Sequence, residues 1–151
     1  MQSPIIFFDG VCNLCNNFIQ LIIRNDRKEK FLFCSIQSDF ARNFFLENKF
    51  SSQDSDSVIL YMDGTFYTKS SAALRIAKSM NGLWPIFWIF ITIPSPIRNW
   101  VYDFVAKNRM KWFGRRSECI VPSTENKKRF LQTIPKKSVL SSKLKNKIIN
   151  P

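Results

Sequence analysis

The apolar run Ile5-Ile6-Phe7-Phe8 leads into Asp9-Gly10-Val11-Cys12-Asn13-Leu14-Cys15, and Asn16 to Ile23 continue with apolar residues at helical spacing. A strand therefore delivers two cysteines to the start of a helix. This junction constrains the chain most, because the unpaired N–H groups and positive dipole end of a helix stabilise a thiolate, the nucleophilic form of cysteine. Two intervening residues put Cys15 about one helical turn after Cys12, within reach of a mixed disulfide on Cys12. Cys12 is the candidate nucleophile and Cys15 the candidate resolving thiol.

The chain has 151 residues, 45% of them hydrophobic, enough for one well-buried core with a small appendage. Met1-Gln2-Ser3-Pro4 carries no basic residue and runs straight into the first strand, so no secretory leader is expected and the expected compartment is the cytoplasm. In that compartment four cysteines point to free, redox-active or metal-bound thiols rather than structural disulfides. The absence of histidine leaves zinc only an all-cysteine or Cys/carboxylate site. The formal net charge of +12 is concentrated in the last third: residues 1–97 hold 9 basic and 8 acidic side chains, 98–135 hold 9 and 3, and 136–151 hold 5 and none. Such asymmetry suits an anionic partner, nucleic acid or an anionic membrane face, or else a solvated basic surface.

The first half alternates: strand 5–8, helix 14–24, strand 31–36, helix 39–48, strand 58–62. Asp63-Gly64 then separates Val58 to Met62 from Thr65 to Thr68, a two-residue hairpin signal that makes the next strand antiparallel. Ser70 or Ser71 is placed to cap a helix whose Ala73, Leu74, Ala77 and Met80 share a face until Asn81-Gly82 stops it. This βαβαββα order, with a Cys-x-x-Cys at the first strand-to-helix junction, predicts an α/β thioredoxin-like core over residues 1–82.

From Ser79 to Ile97 no charged residue occurs, and Leu83 to Ile93 are apolar and aromatic almost throughout. Pro85, Pro94 and Pro96 leave a helical stretch well short of the roughly 20 apolar residues that a span requires. A short buried or interface helix is expected, opening a helical extension over 83–134 that packs on the core. Ser95-Pro96 starts the next helix, with Ile97, Trp100, Val101, Phe104 and Val105 at helical spacing, running to about Asn108 or beyond. Gly114 closes an aromatic extension through Trp112-Phe113, and a short basic helix is expected over 124–131. The basic tail 135–151 is expected to be flexible. Its Leu140, Leu144 and Ile148 recur at i, i+4, i+8 beside lysines, which also suits peripheral contact with an anionic inner membrane face.

Asp-Gly-Val-Cys-x-x-Cys near the start occurs with Ser71 to Ala77, Ile93-Pro94, Tyr102 to Arg109 and Trp112-Phe113-Gly114-Arg115-Arg116 in that order. With these motifs the chain resembles the DCC-type thiol-disulfide oxidoreductase family from about Ile5 to Leu131. The resemblance implies a thioredoxin-like fold and a thiol-disulfide exchange role, with Asp9, Cys12 and Cys15 as the residues concerned. One departure from thioredoxins bears on the substrate. They place a cis-proline before the third strand, facing the cysteines; here Asp56-Ser57 precede Val58. Ser57 is therefore a candidate polar substrate contact, beside Gly10, Val11, Asn13 and Leu14 of the cysteine loop.

Asp9 has two roles open to it: a general base that takes the Cys15 proton, or a cap that accepts loop N–H bonds. Cys34, in a strand, is expected to be a buried structural thiol. Cys119, beside Arg115 and Arg116, is a candidate third redox thiol or zinc ligand, or a passive cysteine. Lys107, Arg109, Lys111, Arg115 and Arg116 interleave with Trp112 and Phe113; with no nucleic-acid-binding module beside them, the aromatics are read as core anchors and the cations as solvated. The expected activity is exchange of protein or small-molecule thiols and disulfides with no organic cofactor, because the sulfur pair carries the electrons. The alternative is a non-catalytic thioredoxin-like module that holds zinc through its cysteines or docks a protein or membrane through 83–93.

Overall fold

The computed structural model describes residues 3–51, 58–115 and 127–131. Strand β1 (Ile5–Phe8) is buried along its whole length. Both its faces are covered by helices, which explains its unbroken apolar run. It pairs in parallel with β2 (Leu32–Ser35) and antiparallel with β3 (Ile59–Met62), which pairs antiparallel with β4 (Thr65–Thr68), giving the order β2-β1-β3-β4. The β3–β4 turn takes positive φ at both Asp63 and Gly64, the geometry that an Asp-Gly hairpin loop favours.

Alternation along the strands splits the core into two layers. Ile6, Phe8, Phe33 and Leu60 meet Ile19 and Ile22 of α1 (Asn13–Asn25) and Ala72 and Ile76 of α3 (Lys69–Ser79). Ile5, Phe7, Cys34 and Ile59 meet Ala41 and Phe45 of α2 (Asp39–Glu47) on the other side. Helix α2 starts as the sequence suggests, with Ser38 accepting the Ala41 N–H. Helix α3 does not. Thr68 is its N-cap, and Ser70 instead donates its hydroxyl to Asn99 of α4 (Ser95–Phe113) at 2.6 Å. This mixed α/β sheet with helices on both faces is the thioredoxin-like fold that the element order implies.

The apolar segment forms a 3-10 helix, Trp84–Thr92, lying against α3. Three residues per turn bring side chains at i and i+3 into line, which stacks Trp84, Phe87 and Phe90 at centroid spacings of 5.6 and 6.2 Å. Trp88 turns toward α3, under Lys78 at 4.3 Å. Of the two expectations, a buried or an interface helix, burial is not met: none of its residues is buried, and Leu83 beside it is 84% exposed. Among the described residues no helix is long and apolar enough to cross a membrane.

The expected basic helix over 124–131 is also replaced, as far as it is described. Lys127–Arg129 make one 3-10 turn, after which Phe130 bridges Phe33 and the Leu131 N–H donates to the Phe33 carbonyl at 2.7 Å, along the free edge of β2. Arg129 anchors this return from within the core, donating to the Asp26 carboxylate and, at 3.1 Å, to the Phe31 carbonyl. Ser57, Cys119, Arg116 and the tail from 132 lie outside the described residues.

Candidate active site

Cys12 is the N-cap of α1, with extended backbone at φ −89 and ψ 122, at the end of the helix whose first-turn N–H groups lack intrahelical partners; its side chain makes no capping hydrogen bond. One turn on, Cys15 is close enough to hydrogen-bond Cys12. Both are free thiols.

The loop before them is braced by polar contacts that only a closely spaced turn permits. Asp9 Oδ1 accepts the Val11 N–H at 3.1 Å and the Gln37 side-chain N–H at 2.9 Å. Gly10 donates its N–H to Gln37 at 3.3 Å, and its carbonyl accepts from the Asn16 amide at 3.0 Å. Asp9 is thus a loop cap. It is also half of a buried ion pair, because Arg109 of α4 donates to Asp9 Oδ2 at 3.2 Å. A second guanidinium N–H of Arg109 donates to Cys15 Sγ at 3.1 Å. One cation therefore bridges the carboxylate and the second cysteine, inside the protein, with Arg109 4% and Asp9 5% exposed.

Burial first, then the electrostatic influence of the neighbouring Cys12, push the Cys15 thiol from its ordinary value of 9.0 up to about 12, while Arg109 pulls it down. Cys15 keeps its proton at neutral pH. Asp9 adds a small upward push, and Arg109, which does not release protons, stands between them. The arrangement is better suited to holding charge on the sulfur than to removing its proton through the carboxylate.

The two cysteines face different surroundings. Cys12 is 0% exposed: its backbone forms a β-bridge with Arg115 just past the end of α4, and Asn13 donates its side-chain amide to the Phe113 carbonyl at 2.8 Å. Gly114, at φ +76, makes the turn that carries the chain across. Cys15 instead borders a cavity of about 170 Å3, walled by Leu14, Phe18, Val58, Tyr102, Val105 and Arg109 among others. Tyr102 accepts the Val58 N–H at 3.1 Å, at the start of β3 where a thioredoxin offers its substrate platform.

Of the sequence-predicted residues, Asp9, Gly10, Val11, Cys12 and Cys15 converge on one loop and helix turn. Leu14 lines the Cys15 cavity, and the Asn13 amide is engaged with Phe113. Cys34, by contrast, lies buried against Ser38, its thiol likewise pushed up to about 12 by burial. Three cysteines, Cys12, Cys15 and Cys34, are described as free thiols, and among the described residues no group of three His, Cys, Asp or Glu side chains is placed to hold a metal ion.

Arg109, Gln37 and Tyr102 join the site from outside the cysteine motif, where the sequence pattern gives them no site role. Arg109 reads there as one of five clustered cations. The usable signal was its register: Tyr102, Val105 and Ala106 precede it by seven, four and three, so it shares their face of α4. Trp112 and Phe113, expected as core anchors, are 54% and 45% exposed.

The sequence matches the model of the DCC1-like thiol-disulfide oxidoreductase family over residues 6–115, a span that takes in both Cys12 and Arg109. It is 42% identical over 131 residues, 87% of this chain and 96% of the relative, to the uncharacterized protein YuxK of Bacillus subtilis (strain 168). It is 35% identical over 119 residues, 78% of this chain and 69% of the relative, to a chloroplastic DCC family protein of Arabidopsis thaliana. No solved structure matches it. With a cysteine pair at the head of α1 in a thioredoxin-like sheet, and the family match across both, the chain belongs to the DCC1-like thiol-disulfide oxidoreductase family.

Proposed function

We propose that the protein exchanges thiols and disulfides through Cys12 and Cys15, and that Arg109 assists the second step. The Cys12 thiolate, at the head of α1, attacks a substrate disulfide R–S–S–R′; a Cys12–S–S–R bond forms and R′–S⁻ leaves. The Cys15 thiol then loses its proton to water or buffer and attacks Cys12 Sγ. The Cys12–Cys15 disulfide forms and R–S⁻ leaves, so two electrons pass from the pair to the substrate. The reverse sequence oxidises a dithiol. The observation that carries this reading is the Arg109 bridge, with 3.1 Å to Cys15 Sγ and 3.2 Å to Asp9 Oδ2. A guanidinium aimed at a buried sulfur lowers the cost of charging it when resolution demands a thiolate.

A high Cys15 pKa supports the assigned order, since a thiol held protonated is a poor first attacker and is activated only once the mixed disulfide has formed beside it. Cys12 must become accessible for the first step, so the Gly114–Arg115 crossing has to lift. The test is a redox titration with alkylation and peptide mass mapping. A reversible Cys12–Cys15 disulfide, with mixed disulfides trapped on Cys12 in Cys15→Ser and none in Cys12→Ser, supports the reading. A folded protein whose pair stays alkylatable under oxidation, or that traps partners only on Cys15, overturns it.

A further inference from the structure

Helix α4 is built inside out. Several of its polar side chains are bonded to the core elements: Asn99 to Ser70, Tyr102 to the Val58 N–H, Asp103 to Lys69 at 3.2 Å, and Arg109 to Asp9 and Cys15. A run of its large apolar ones points out, with Trp100 71%, Ile97 57% and Phe104 53% exposed, followed by Trp112. The neighbouring 3-10 helix adds Ile86, Phe87, Ile89 and Phe90 to the exposed apolar side chains. A large apolar hollow of about 500 Å3, bordered by Phe90, Ile97 and Val101, shares Ala73, Tyr102 and Val105 with the cavity beside Cys15. An apolar surface of this extent on a water-facing helix marks a contact site.

Charge selects the occupant. Between Ser79 and Arg115 the single acidic residue is Asp103, which is paired with Lys69, against Arg98, Lys107, Arg109, Lys111 and Arg115. Arg109 is turned inward, while Lys107, Lys111 and Arg115 are exposed. A second copy would bring another chain of net charge +12, and the chain's own tail 136–151 carries five cations and no acid. Both are repelled by this rim. An anionic lipid surface is not: its headgroups attract the cations, and exposed tryptophan and phenylalanine insert at the headgroup boundary.

We propose that the protein seats the outward face of α4 and the 3-10 helix on an anionic bilayer surface, without spanning it. The inference rests on exposure and charge and is independent of whether Cys12 and Cys15 exchange thiols. The full chain is mixed with vesicles of phosphatidylcholine alone and of phosphatidylcholine with phosphatidylglycerol, and association is read by flotation and by tryptophan emission. The expected result is binding to the anionic vesicles with a blue shift, and at least tenfold loss in Trp100→Glu and Phe104→Glu, which sit on the exposed face and leave the fold intact. Lys107→Gln and Lys111→Gln each weaken binding about fivefold, the effect of one cation at an anionic surface. Absence of binding to either vesicle overturns the proposal, as does binding that Trp100→Glu and Phe104→Glu leave unchanged, which assigns it to the basic tail. A dimer that these substitutions disperse, or their unfolding of the protein, also overturns it, because the face is then covered by a second copy or by the chain itself.

Discussion

Replacing Arg109 by methionine removes the charge that bridges Asp9 and Cys15 while keeping a long side chain, and its consequences separate chemistry from scaffolding. A hydrogen bond to a charged group contributes about 1.5–3 kcal/mol, and about 1.4 kcal/mol corresponds to one pKa unit, so loss of the 3.1 Å contact raises the Cys15 pKa further by about one to two units. The thiolate fraction at neutral pH falls about ten- to hundredfold. Intrinsic nucleophilicity rises with pKa at a slope of about 0.4–0.5, which offsets nearly half of that on a logarithmic scale and leaves resolution slowed about 3- to 16-fold. Stability suffers separately, because removing one partner of a buried pair costs about 3–5 kcal/mol.

The double variant Asp9→Asn with Arg109→Met resolves the two effects. The asparagine oxygen still accepts from Val11 while the stranded carboxylate charge is gone, so stability recovers in part and resolution stays slow. The assay loads a mixed disulfide on Cys12, quenches its decay with acid and reads the species by mass. First attack on the substrate disulfide, measured in Cys15→Ser with and without Arg109→Met, changes little. Resolution at the wild-type rate in the double variant would refute a chemical role for Arg109 and leave it a structural pair.

Three further outcomes follow from the geometry. Cys15 and Cys34 are held at about 12 against an ordinary 9.0, so below pH about 9 both states keep these protons and the stabilisation is complete; between 9 and 12 the unfolded chain loses them first and stability falls. Urea unfolding from pH 9 upward should show the fall, Cys34→Ala should flatten part of it, and a flat wild-type curve would contradict the burial argument. Asn13→Ala frees the Phe113 carbonyl from the crossing over Cys12; loss of one hydrogen bond of about 0.5–1.5 kcal/mol predicts alkylation of Cys12 about 2- to 13-fold faster, and an unchanged rate would show that the crossing does not gate the thiol. Asp26→Ala strands Arg129 in the core and should cost about 3–5 kcal/mol by urea titration, whereas a loss below about 1 kcal/mol would class the pair with solvated surface bridges.

The core was legible because burial writes itself into spacing. Ile5 to Phe8 had to be central, Asp63-Gly64 had to turn, and the cysteine pair had to open α1, each from local physics that nothing distant could override. The site was half legible. Asp9, Cys12 and Cys15 are contiguous, so their convergence is a local property of a strand-to-helix turn. Arg109 reaches them from 94 residues beyond Cys15, and no local rule sets which α4 side chain meets which loop. The return of Phe130 to the β2 edge was missed for the same reason: Lys127 to Arg129 read as a basic helix because the buried Asp26 that receives Arg129 is far away in sequence.

Helix α4 misled in a more instructive way. Periodicity reports which residues share a face and is silent on which face is inward; the inference that apolar means inward assumes that water is the only other environment. Ile97, Trp100, Val101 and Phe104 share a face as expected, and it is the outward one, whereas Val105, expected with them, borders the Cys15 cavity. What turned the helix over is the demand of the interior. A buried Asp9, a buried sulfur and the Val58 N–H all require polar partners, and Arg109 and Tyr102 supply them. Turning these residues inward forces Trp100 and Phe104 out, since both sets are fixed to one rigid rod. The exposed apolar face is thus a geometric consequence of the same helix that completes the cysteine site.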